Sequence, residues 1–567
     1  MPPRHGIEGV RYRSGRERDR YIANGDWIDA TAGEIVRRAA QAQPEKVAVV
    51  GHDRDLTFRE LDDQSEAIAA GLLQTGMKPG DRALFQIGTV TEFFTALFGC
   101  FKAGVVPVCT LPQFREIEME ALALKSGATG YFVQADFNPT FDQLAFARRM
   151  RAKVPQLTHL YVVRGEAGPG EFSLAAFEQR YKAGEAREIV RPHDPDPEDV
   201  AALQLSGGST GLPKLIPRFH AEYLGSAAAL SKRWELTSDD KALWTLPLIH
   251  NAGVLIVVLP MVLDCRTTVV LPRFDAREFL ETAERRDITF SGSIGPVAPR
   301  LLEYVDVKRF DLSKLRQFFA LSRADAVEAH MGITTGCMYG ITEGLLMGSA
   351  PSDTADARHG TVGWPASMDD EVRLLQIDSE AEVAFGAVGE LCFRGPSSVT
   401  GYFGDDAATA ASMTRDGFFR TGDLVRGLRL NGRTYYAFEG RIKDNINRGG
   451  EKIGAEEVEA VVAAHPAVAD VRVVAMPNAI FGEKACAYII VRPGHALPTL
   501  GELGRFVAEK GLAKYKTPER IEPIDAFPIT SVGKVDKVRM RAMIADKLAV
   551  ESAREADTAP AQKGQAE

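Results

Sequence analysis

Cysteine pairs with metal-binding spacing are missing from this sequence. The six cysteines form no CxxC pair, and most of them lie in apolar surroundings. They are Cys100, Cys109, Cys265, Cys337, Cys392 and Cys486. This scattering excludes a zinc-ribbon or disulfide-rich class of protein and predicts reduced core residues.

Long apolar runs are missing as well. The longest, residues 252–263, is about a dozen residues long and contains Pro260, whereas a membrane-spanning helix needs ~20 apolar residues. The N-terminal residues 1–21 carry basic side chains but are not followed by the apolar segment of a secretory signal. We therefore expect a cytoplasmic protein with no membrane partner.

An excess of positive charge is also missing. The chain has 68 Lys and Arg against 77 Asp and Glu, a net charge of -9. Because coating a nucleic acid requires clustered Lys and Arg, we expect no nucleic-acid partner. The hydrophobic content of 45% and charged content of 26% are ordinary for a globular protein and exclude disordered and collagen-like classes.

The length and the apolar pattern predict an α/β fold. The chain has 567 residues, several times the ~100 to 200 of a single domain. Apolar runs alternate with amphipathic stretches over residues 28–201 and again over 241–348, which predicts two doubly wound parallel sheets. Short alternating strands with glycine turns over 371–436 predict a small barrel-like β unit that closes the large domain.

A second domain is expected after Gly440, where a compact α+β pattern begins. The segment at 440–444, GRIKD, is polar and contains glycine, as an inter-domain hinge would, and we assign the hinge to Lys443. We predict a large N-terminal domain at 1–440 and a small, mobile C-terminal α+β domain at 441–548. The tail at 549–567 is polar and without periodicity, so we predict that it is disordered.

A loop dense in glycine and hydroxyl groups follows the apolar strand VAALQL. Its sequence, SGGSTGLPK, offers backbone N–H groups and hydroxyls to an anion, and glycine permits close approach, so phosphate is the expected ligand. Pro213 precedes Lys214 and no Ser or Thr follows, which excludes a Walker A loop and a P-loop hydrolase. The predicted phosphate-binding residues are Ser206, Gly207, Gly208, Ser209, Thr210, Gly211 and Lys214.

This loop resembles the phosphate-loop signature of the acyl-adenylate-forming superfamily, which includes acyl-CoA synthetases, luciferases and nonribosomal-peptide adenylation domains. Four further segments match the family's motifs in the same order. They are YGITE at 339–343, TGD at 421–423, GRIKD at 440–444 and SVGK at 531–534. The resemblance spans nearly the whole chain and implies an ATP-dependent ligase with ATP and Mg²⁺ as cofactors.

The resemblance implies a role for each motif residue that contacts the nucleotide. Glu343 would hold Mg²⁺ and Thr342 the α-phosphate, since hard cations take oxygen ligands. Asp423 would accept hydrogen bonds from both ribose hydroxyls. Arg441 would reach a phosphate with its planar guanidinium, and Tyr339 belongs to the same nucleotide-binding set.

The resemblance also implies how the catalytic groups come together. Lys534 would bridge the substrate carboxylate and the α-phosphate as charge moves onto pyrophosphate. Because Lys534 and the phosphate loop are predicted in different domains, the reaction would require domain closure. A second orientation for thioester formation would turn the loop that contains Gly449 and Gly450 towards the large domain.

Among subfamilies, the chain is most similar to the aryl-acid AMP ligases, which activate 2,3-dihydroxybenzoate or salicylate in siderophore and nonribosomal peptide synthesis. The matching text includes LQLSGGSTGLPKLIPR and GRIKDNINRGGEKI. Asn251 occupies the place of the residue that hydrogen-bonds the ring hydroxyl, and His250 would lie near the carboxylate as a catalytic residue. Gly344 is a further substrate-binding residue implied by this resemblance.

Two segments depart from the subfamily. Ile256 stands five residues after Asn251, where aryl ligases have Ser or Cys, so a substrate-binding polar partner for a hydroxylated ring is lost. Benzoate-like, pyridine-like and less hydroxylated acids therefore stay open as substrates. Residues 320–323, ALSR, replace a Gly-Gly-Ala-like segment against the adenine, and the stretch up to Tyr339 is a few residues shorter.

The implied reaction joins an aryl carboxylic acid to AMP and then transfers the aryl group to a phosphopantetheine thiol. The expected acceptor is a separate aryl carrier protein, because no carrier domain follows Leu548. An aryl-CoA ligase that uses free CoA is the nearest alternative. A non-catalytic nucleotide-binding regulator, suggested by residues 321–323, is a more distant one that the retained Glu343 and Lys534 disfavour. The acid, the acceptor and the oligomeric state stay open.

Overall fold

The chain divides into two compact units in the computed structural model. The described residues are 3–206, 213–294, 297–448, 451–478, 481–510, 512, 514–530 and 534–558. The first unit comprises Met1–Arg373, Cys392–Thr421 and Gly427–Ala437, and the second comprises Leu374–Leu391, Gly422–Arg426 and Phe438–Glu567. Each unit thus combines three segments, and the single boundary at residue 440 stays a prediction.

Seven strands form the first sheet of the first unit. In spatial order they are Phe172–Ser173, His159–Val163, Gly130–Gln134, Arg82–Gln86, Val106–Val108, Val200–Leu205 and Leu215–Phe219. All neighbours pair in parallel except the last two, which are antiparallel. The central strands are short, continuously buried apolar runs, as expected of parallel strands covered by helices on both faces.

Nine strands form the second sheet of this unit. In spatial order they are Trp364–Pro365, Leu346–Gly348, Thr335–Gly340, Gln317–Ala320, Phe290–Gly292, Lys241–Trp244, Thr267–Val270, Val47–Val50 and Asp55–Thr57. The six strands from Thr335–Gly340 to Val47–Val50 are parallel, and antiparallel strands flank them. Two parallel-rich sheets in succession confirm the predicted doubly wound α/β class.

Helices alternate with these strands. They are Gly15–Asn24, Ala32–Ala42, Phe58–Gln74, Thr91–Ala103, Glu116–Ser126, Gln143–Lys153, Leu174–Arg180, Ala183–Val190, His220–Arg233, Asn251–Gly253, Leu259–Leu263, Ala276–Arg285, Val297–Glu303, Ala324–Met331, Ala355–Gly360 and Asp406–Ala411, with a π-helical turn at Val254–Val258 and 3₁₀ turns at Arg191–His193 and Val307–Arg309. Local sequence sets their ends. Thr57 begins one helix with a capping box, since its Oγ1 accepts from Glu60 N at 3.2 Å and Glu60 Oε2 accepts from Thr57 N at 2.8 Å.

Short strands follow in the region where the sequence predicts a small β unit. Four of them form one sheet in the order Glu371–Leu375, Val388–Arg394, Phe419–Leu430 and Arg433–Arg441. The boundaries between the two compact units fall within these strands.

The described residues of the second unit form a five-stranded sheet and three α-helices. In spatial order the strands are Glu451–Gly454, Asn445–Arg448, Gly482–Val491 and Val468–Asn478, and Arg520–Pro523 pairs in parallel with Gly482–Val491. The helices are Ala455–Ala463, Leu500–Glu509 and Lys537–Thr558, with 3₁₀ turns at Ile442–Asp444 and Lys514–Lys516. Aliphatic side chains such as Ile446, Val458 and Ile489 form its core. The predicted α+β pattern is confirmed, and the last helix continues ten residues beyond Leu548 to Thr558.

The structure bears on two features of the sequence, its cysteines and its apolar runs. All six cysteines are free; five are buried and Cys265 is half-buried. Within the described ranges, no helix combines the length and the hydropathy that crossing a bilayer requires.

Candidate active site

Two hydrogen bonds close the base of the predicted phosphate loop. Ser206 N donates to the Lys214 carbonyl at 2.9 Å, and Lys214 N donates to Ser206 Oγ at 2.9 Å. The loop therefore leaves and re-enters the sheet at adjacent points of two antiparallel strands, Val200–Leu205 and Leu215–Phe219. The other residues of the prediction, Gly207, Gly208, Ser209, Thr210 and Gly211, lie outside the described residues.

Tyr402 connects the end of this loop to the predicted metal ligand. Its hydroxyl donates to Glu343 Oε1 at 3.0 Å, and Lys214 Nζ lies 4.2 Å from the centroid of its ring, a cation–π distance. Burial and the neighbouring Glu343 carboxylate raise the pKa of Tyr402, so its hydroxyl stays protonated and donates. The sequence analysis did not find Tyr402.

Gly344 lies where the backbone is too close for a side chain. Its φ is +130°, and a Cβ there would stand 1.8 Å from the Ser397 carbonyl oxygen. Asp370 holds the neighbouring segment, since Asp370 Oδ2 accepts from Ser397 Oγ at 2.7 Å and Oδ1 accepts from Ser397 N at 3.2 Å. Burial raises the pKa of Asp370 to about 7. This packing accounts for a glycine at 344, and its substrate-binding role stays a prediction.

Arg218 is a buried cation in the middle of the apolar strand Leu215–Phe219. Its Nε donates to Glu222 Oε2 at 3.0 Å, and Nη2 donates to the other carboxylate oxygen. Nη1 donates to Asn251 Oδ1 at 3.1 Å and to the Thr342 carbonyl at 3.3 Å. Burial by itself would lower the pKa of Arg218, but the Glu222 carboxylate outweighs it, and the net pKa is raised. Arg218 thus joins Asn251 to the backbone of the YGITE segment.

Tyr223 completes this buried network. Its hydroxyl donates to Asn251 Oδ1 at 2.8 Å and accepts from Gln204 Nε2 at 3.0 Å. Gln204 Nε2 also donates to the Ile249 carbonyl at 3.2 Å. The Arg218 network, as we name it, consists of Gln204, Arg218, Glu222, Tyr223 and Asn251, all of them buried. Of its members, the sequence analysis selected Asn251 alone.

The other predicted acid-binding residues lie at the start of a buried, irregular helix. His250 Nδ1 accepts from Ala252 N at 3.3 Å, so the imidazole caps the turn Asn251–Gly253. Ile256 is 3% exposed inside the π-helical turn Val254–Val258. Such turns occur frequently at functional sites. The apolar run at 252–263, too short to span a membrane, is thus a buried helical segment. The catalytic role of His250 stays a prediction.

The segment that departs from the family has an unusual local structure. The strand Gln317–Ala320 ends there, and Leu321 is 45% exposed. Arg323, with a φ of 58°, adopts the left-handed conformation before the helix Ala324–Met331, a conformation that is unfavourable for residues other than glycine. Tyr339, the predicted nucleotide-binding residue that follows, is 7% exposed in the strand Thr335–Gly340.

The remaining nucleotide-binding predictions belong to the second unit. Arg441 Nε lies 3.1 Å from Asp423 Oδ1, so two residues predicted to contact ATP form an ion pair, with Asp423 buried. Gly422 N, beside Asp423, donates to Glu390 Oε1 at 3.3 Å. Lys443 lies in the turn Ile442–Asp444 and its hinge role stays a prediction, as its side chain is outside the description.

Lys534 is an exposed residue of the second unit. Thr530 N donates to the Lys534 carbonyl at 2.7 Å, and Lys534 N donates to Thr530 Oγ1 at 3.2 Å. These bonds fix the backbone on both sides of residues 531–533, which are not among the described residues. The predicted thiolation residues Gly449 and Gly450 are not among them either.

The donor set fits a cation that arrives with phosphates. Among the residues described, no group of three or more His, Cys, Asp or Glu is placed to hold a metal ion. Mg²⁺ bound to a nucleotide needs one or two protein carboxylates, since phosphate oxygens and waters supply the other ligands. The carboxylate of Glu343, oriented by Tyr402, meets that requirement.

These features define a class of enzyme. The segment predicted to bind phosphate connects two strands of the parallel-rich sheet, and Glu343 and a buried amide lie in the same unit. The second unit carries Lys534. This combination is that of ATP-dependent adenylate-forming ligases. The AMP-binding enzyme family matches residues 36–403, and the AMP-binding enzyme C-terminal domain matches residues 457–534. The chain belongs to the AMP-binding enzyme family.

Individual relatives agree with this assignment. The chain is 36% identical over 535 residues to 2,3-dihydroxybenzoate-AMP ligase of Bacillus subtilis (strain 168), covering 93% of this chain and 96% of the relative. It is 34% identical over 538 residues to a salicylyl-CoA synthase / salicylate adenylyltransferase of a Streptomyces species, covering 93% and 96%. The apo structure of Mycobacterium smegmatis MbtA is 32% identical, with a TM-score of 0.71 over 94% of this chain and 98% of that one.

Proposed function

We propose that this enzyme activates an aryl carboxylic acid with ATP, giving aryl-AMP and pyrophosphate, and transfers the aryl group to the phosphopantetheine thiol of a separate aryl carrier protein. Siderophore or nonribosomal peptide synthesis is the setting that its relatives suggest. ATP and Mg²⁺ are the cofactors of the proposed reaction.

The observation that carries the proposal is the buried amide of Asn251 beside an apolar helical turn. Asn251 is 5% exposed and Ile256 is 3% exposed. One placed polar group beside apolar side chains suits a flat ring that carries few polar substituents. Arg218 donates to this amide and to the carbonyl of Thr342. The residue proposed to bind the acid and the YGITE segment are therefore held by the same guanidinium.

In the first half-reaction a carboxylate oxygen of the acid attacks the α-phosphorus, and the bond to pyrophosphate breaks. Lys534 contributes positive charge where the carboxylate and α-phosphate oxygens approach each other. Bound Mg²⁺ would neutralise phosphate charge, and Glu343, held by Tyr402, is the residue that would hold it. Asp423 would accept from the ribose hydroxyls, with Arg441 beside it.

In the second half-reaction the thiol sulfur attacks the acyl carbon, the bond to AMP breaks and the thiol proton is released. We propose direct transfer from the adenylate, without an acyl-cysteine intermediate. Burial raises the pKa of Cys100, Cys109 and Cys486, which disfavours their thiolates. The predicted transfer loop includes Gly449 and Gly450.

Product analysis tests this proposal. The enzyme is incubated with ATP, Mg²⁺ and salicylate or benzoate, and then with either a phosphopantetheinylated aryl carrier protein or free CoA. Mass spectrometry should detect aryl-AMP in the first stage. In the second stage it should detect the carrier protein with the aryl group attached to its phosphopantetheine thiol. ATP consumption without any aryl-AMP would contradict the proposal.

An aryl-CoA ligase is the second candidate, favoured by the similarity to the salicylyl-CoA synthase. It shares every residue proposed for adenylation and differs only in the acceptor. Faster aryl transfer to free CoA than to the carrier protein would establish it instead. A regulator that only binds the nucleotide would yield no aryl-AMP with either acceptor.

A further inference from the structure

The amide of Asn251 has a defined orientation. Its Oδ1 accepts from Arg218 Nη1 at 3.1 Å and from Tyr223 OH at 2.8 Å. A guanidinium can only donate hydrogen bonds, so the atom facing Arg218 must be the oxygen. A flipped amide would direct its NH₂ group at the guanidinium and lose both bonds.

The groups that orient this amide are themselves held in place. Tyr223 OH accepts from Gln204 Nε2 at 3.0 Å, so its single proton is directed at Asn251. Arg218 is aligned by Glu222, which binds it through Nε and Nη2. Ser226 Oγ donates to Glu222 Oε1 at 3.0 Å and fixes that carboxylate in turn.

The other end of the amide is available to a ligand. Both hydrogen bonds resolved for the side chain of Asn251 use Oδ1, and none joins Nδ2 to a described residue. Asn251 as a whole is 5% exposed. We propose that Arg218 and Tyr223 are positioning residues that make Asn251 a fixed hydrogen-bond donor. This proposal rests on the proposed function. The fixed donor then selects aryl acids that present an acceptor to it, a phenolic oxygen or a pyridine nitrogen, over acids that present an N–H donor.

Salicylate and anthranilate are the probes that isolate this preference. Both are ortho-substituted benzoates of nearly equal size, but the phenolic oxygen of salicylate accepts a hydrogen bond, whereas the amine of anthranilate mainly donates. A site with a fixed donor rejects the substrate that cannot accept, because two donors are then left facing each other. Benzoate, with neither group, gives the baseline.

Tyr223→Phe is the variant that separates positioning from general support. It removes one bond to Asn251 Oδ1 and leaves Arg218 and its bond to Thr342 in place. Tyr161→Phe is the matched control, since Tyr161 is equally buried and its hydroxyl bonds only to Thr75 Oγ1, at 2.9 Å, among the contacts resolved for it.

The experiment measures acid-dependent pyrophosphate exchange for the wild type and both variants. We expect the wild type to prefer salicylate to anthranilate. Tyr223→Phe should lower the ratio of their kcat/KM values about tenfold, mainly through a higher KM for salicylate, with the KM for ATP unchanged. Tyr161→Phe should leave the ratio as it is.

Asn251→Asp supplies an independent arm. The carboxylate keeps an oxygen for Arg218 and Tyr223 but replaces the donating NH₂ with an acceptor, so the preference should invert towards anthranilate. An unchanged ratio in Tyr223→Phe together with no inversion in Asn251→Asp would overturn the inference and leave the proposed function standing. Exchange with none of the three acids in the wild type would overturn the proposed function and the inference with it.

Discussion

Two cations of this enzyme occupy opposite environments. Arg218 is fully buried in the first unit, where the Glu222 carboxylate balances its charge and every bond of the network has a fixed direction. Lys534 is an exposed residue of the second unit, and its backbone is bonded to Thr530. The buried cation serves orientation, because its charge is already neutralised. The exposed cation is the one that we propose stabilises the charge developing on pyrophosphate.

The contrast predicts different consequences of losing each one. Replacing a buried, paired cation leaves a carboxylate without its partner in a medium of low dielectric constant, so folding should suffer first. Replacing an exposed lysine disturbs no packing, so the reaction should suffer and folding should not.

The largest effect is expected from Arg218→Met. Glu222 would remain buried without its cation, and we expect the free energy of unfolding to fall by about 3 to 5 kcal/mol. Denaturant unfolding measures this loss. The double variant Arg218→Met/Glu222→Leu removes the orphaned charge as well and should recover part of the stability. A loss below about 1 kcal/mol in the single variant would show that the network contributes no more than a surface ion pair.

Lys534→Ala should affect the chemistry and leave folding unchanged. We expect pyrophosphate exchange to fall by about 10² to 10³-fold, the effect of removing one group that stabilises transition-state charge. Thioester formation from preformed aryl-AMP should be largely retained. Lys510→Ala, at another exposed lysine of the same unit, is the control and should leave both half-reactions intact. Equal loss of both half-reactions in Lys534→Ala would refute the division of labour between them.

Asp370 gives the first unit a pH-dependent stability. Burial raises the pKa of Asp370 to about 7, from an ordinary value of about 3.9. A raised carboxyl pKa in the folded state favours folding below the unfolded value, and this contribution is lost as the pH rises to about 7. Asp370→Asn should therefore remove a decline of a few kcal/mol between about pH 4 and 7, measured by unfolding at each pH. Parallel pH profiles for the variant and wild type would contradict this.

Tyr402→Phe should have the smallest effect. Glu343 would lose the hydroxyl that donates to Oε1, while the ring beneath Lys214 remains. We expect about a tenfold lower kcat/KM for ATP, partly recovered at higher Mg²⁺, in steady-state exchange assays. Tyr435→Phe removes a comparable bond to Asp353 Oδ1, of 2.7 Å, elsewhere in the same unit and should not change the Mg²⁺ dependence. The prediction fails if the two variants respond alike to Mg²⁺.

Most of the fold could be predicted from the local sequence. Apolar runs and capping residues are short-range signals, and they predicted two parallel-rich sheets followed by an α+β unit. The tail was harder to predict, since the helix that ends at Thr558 continues into a segment whose polar composition suggests disorder. Composition does not reveal that a helix already begun at Lys537 can be extended.

The candidate site could be predicted from the sequence only in part. Motif residues such as Glu343 and Lys534 could be selected, but what orients them depends on contacts between distant segments. Tyr402 lies 59 residues from Glu343 in sequence, and no local pattern joins them. Arg218 left a usable signal, a charged residue inside an apolar strand with Glu222 four residues later, because a buried arginine requires a partner.

The most direct test of the account is acid-dependent exchange of labelled pyrophosphate into ATP, across benzoates, hydroxybenzoates, picolinates, cinnamates and short fatty acids. The account predicts strong exchange with at least one aryl acid that carries an acceptor beside its carboxylate, and little with fatty acids. Exchange with fatty acids alone, or with no acid while ATP still binds, would contradict it.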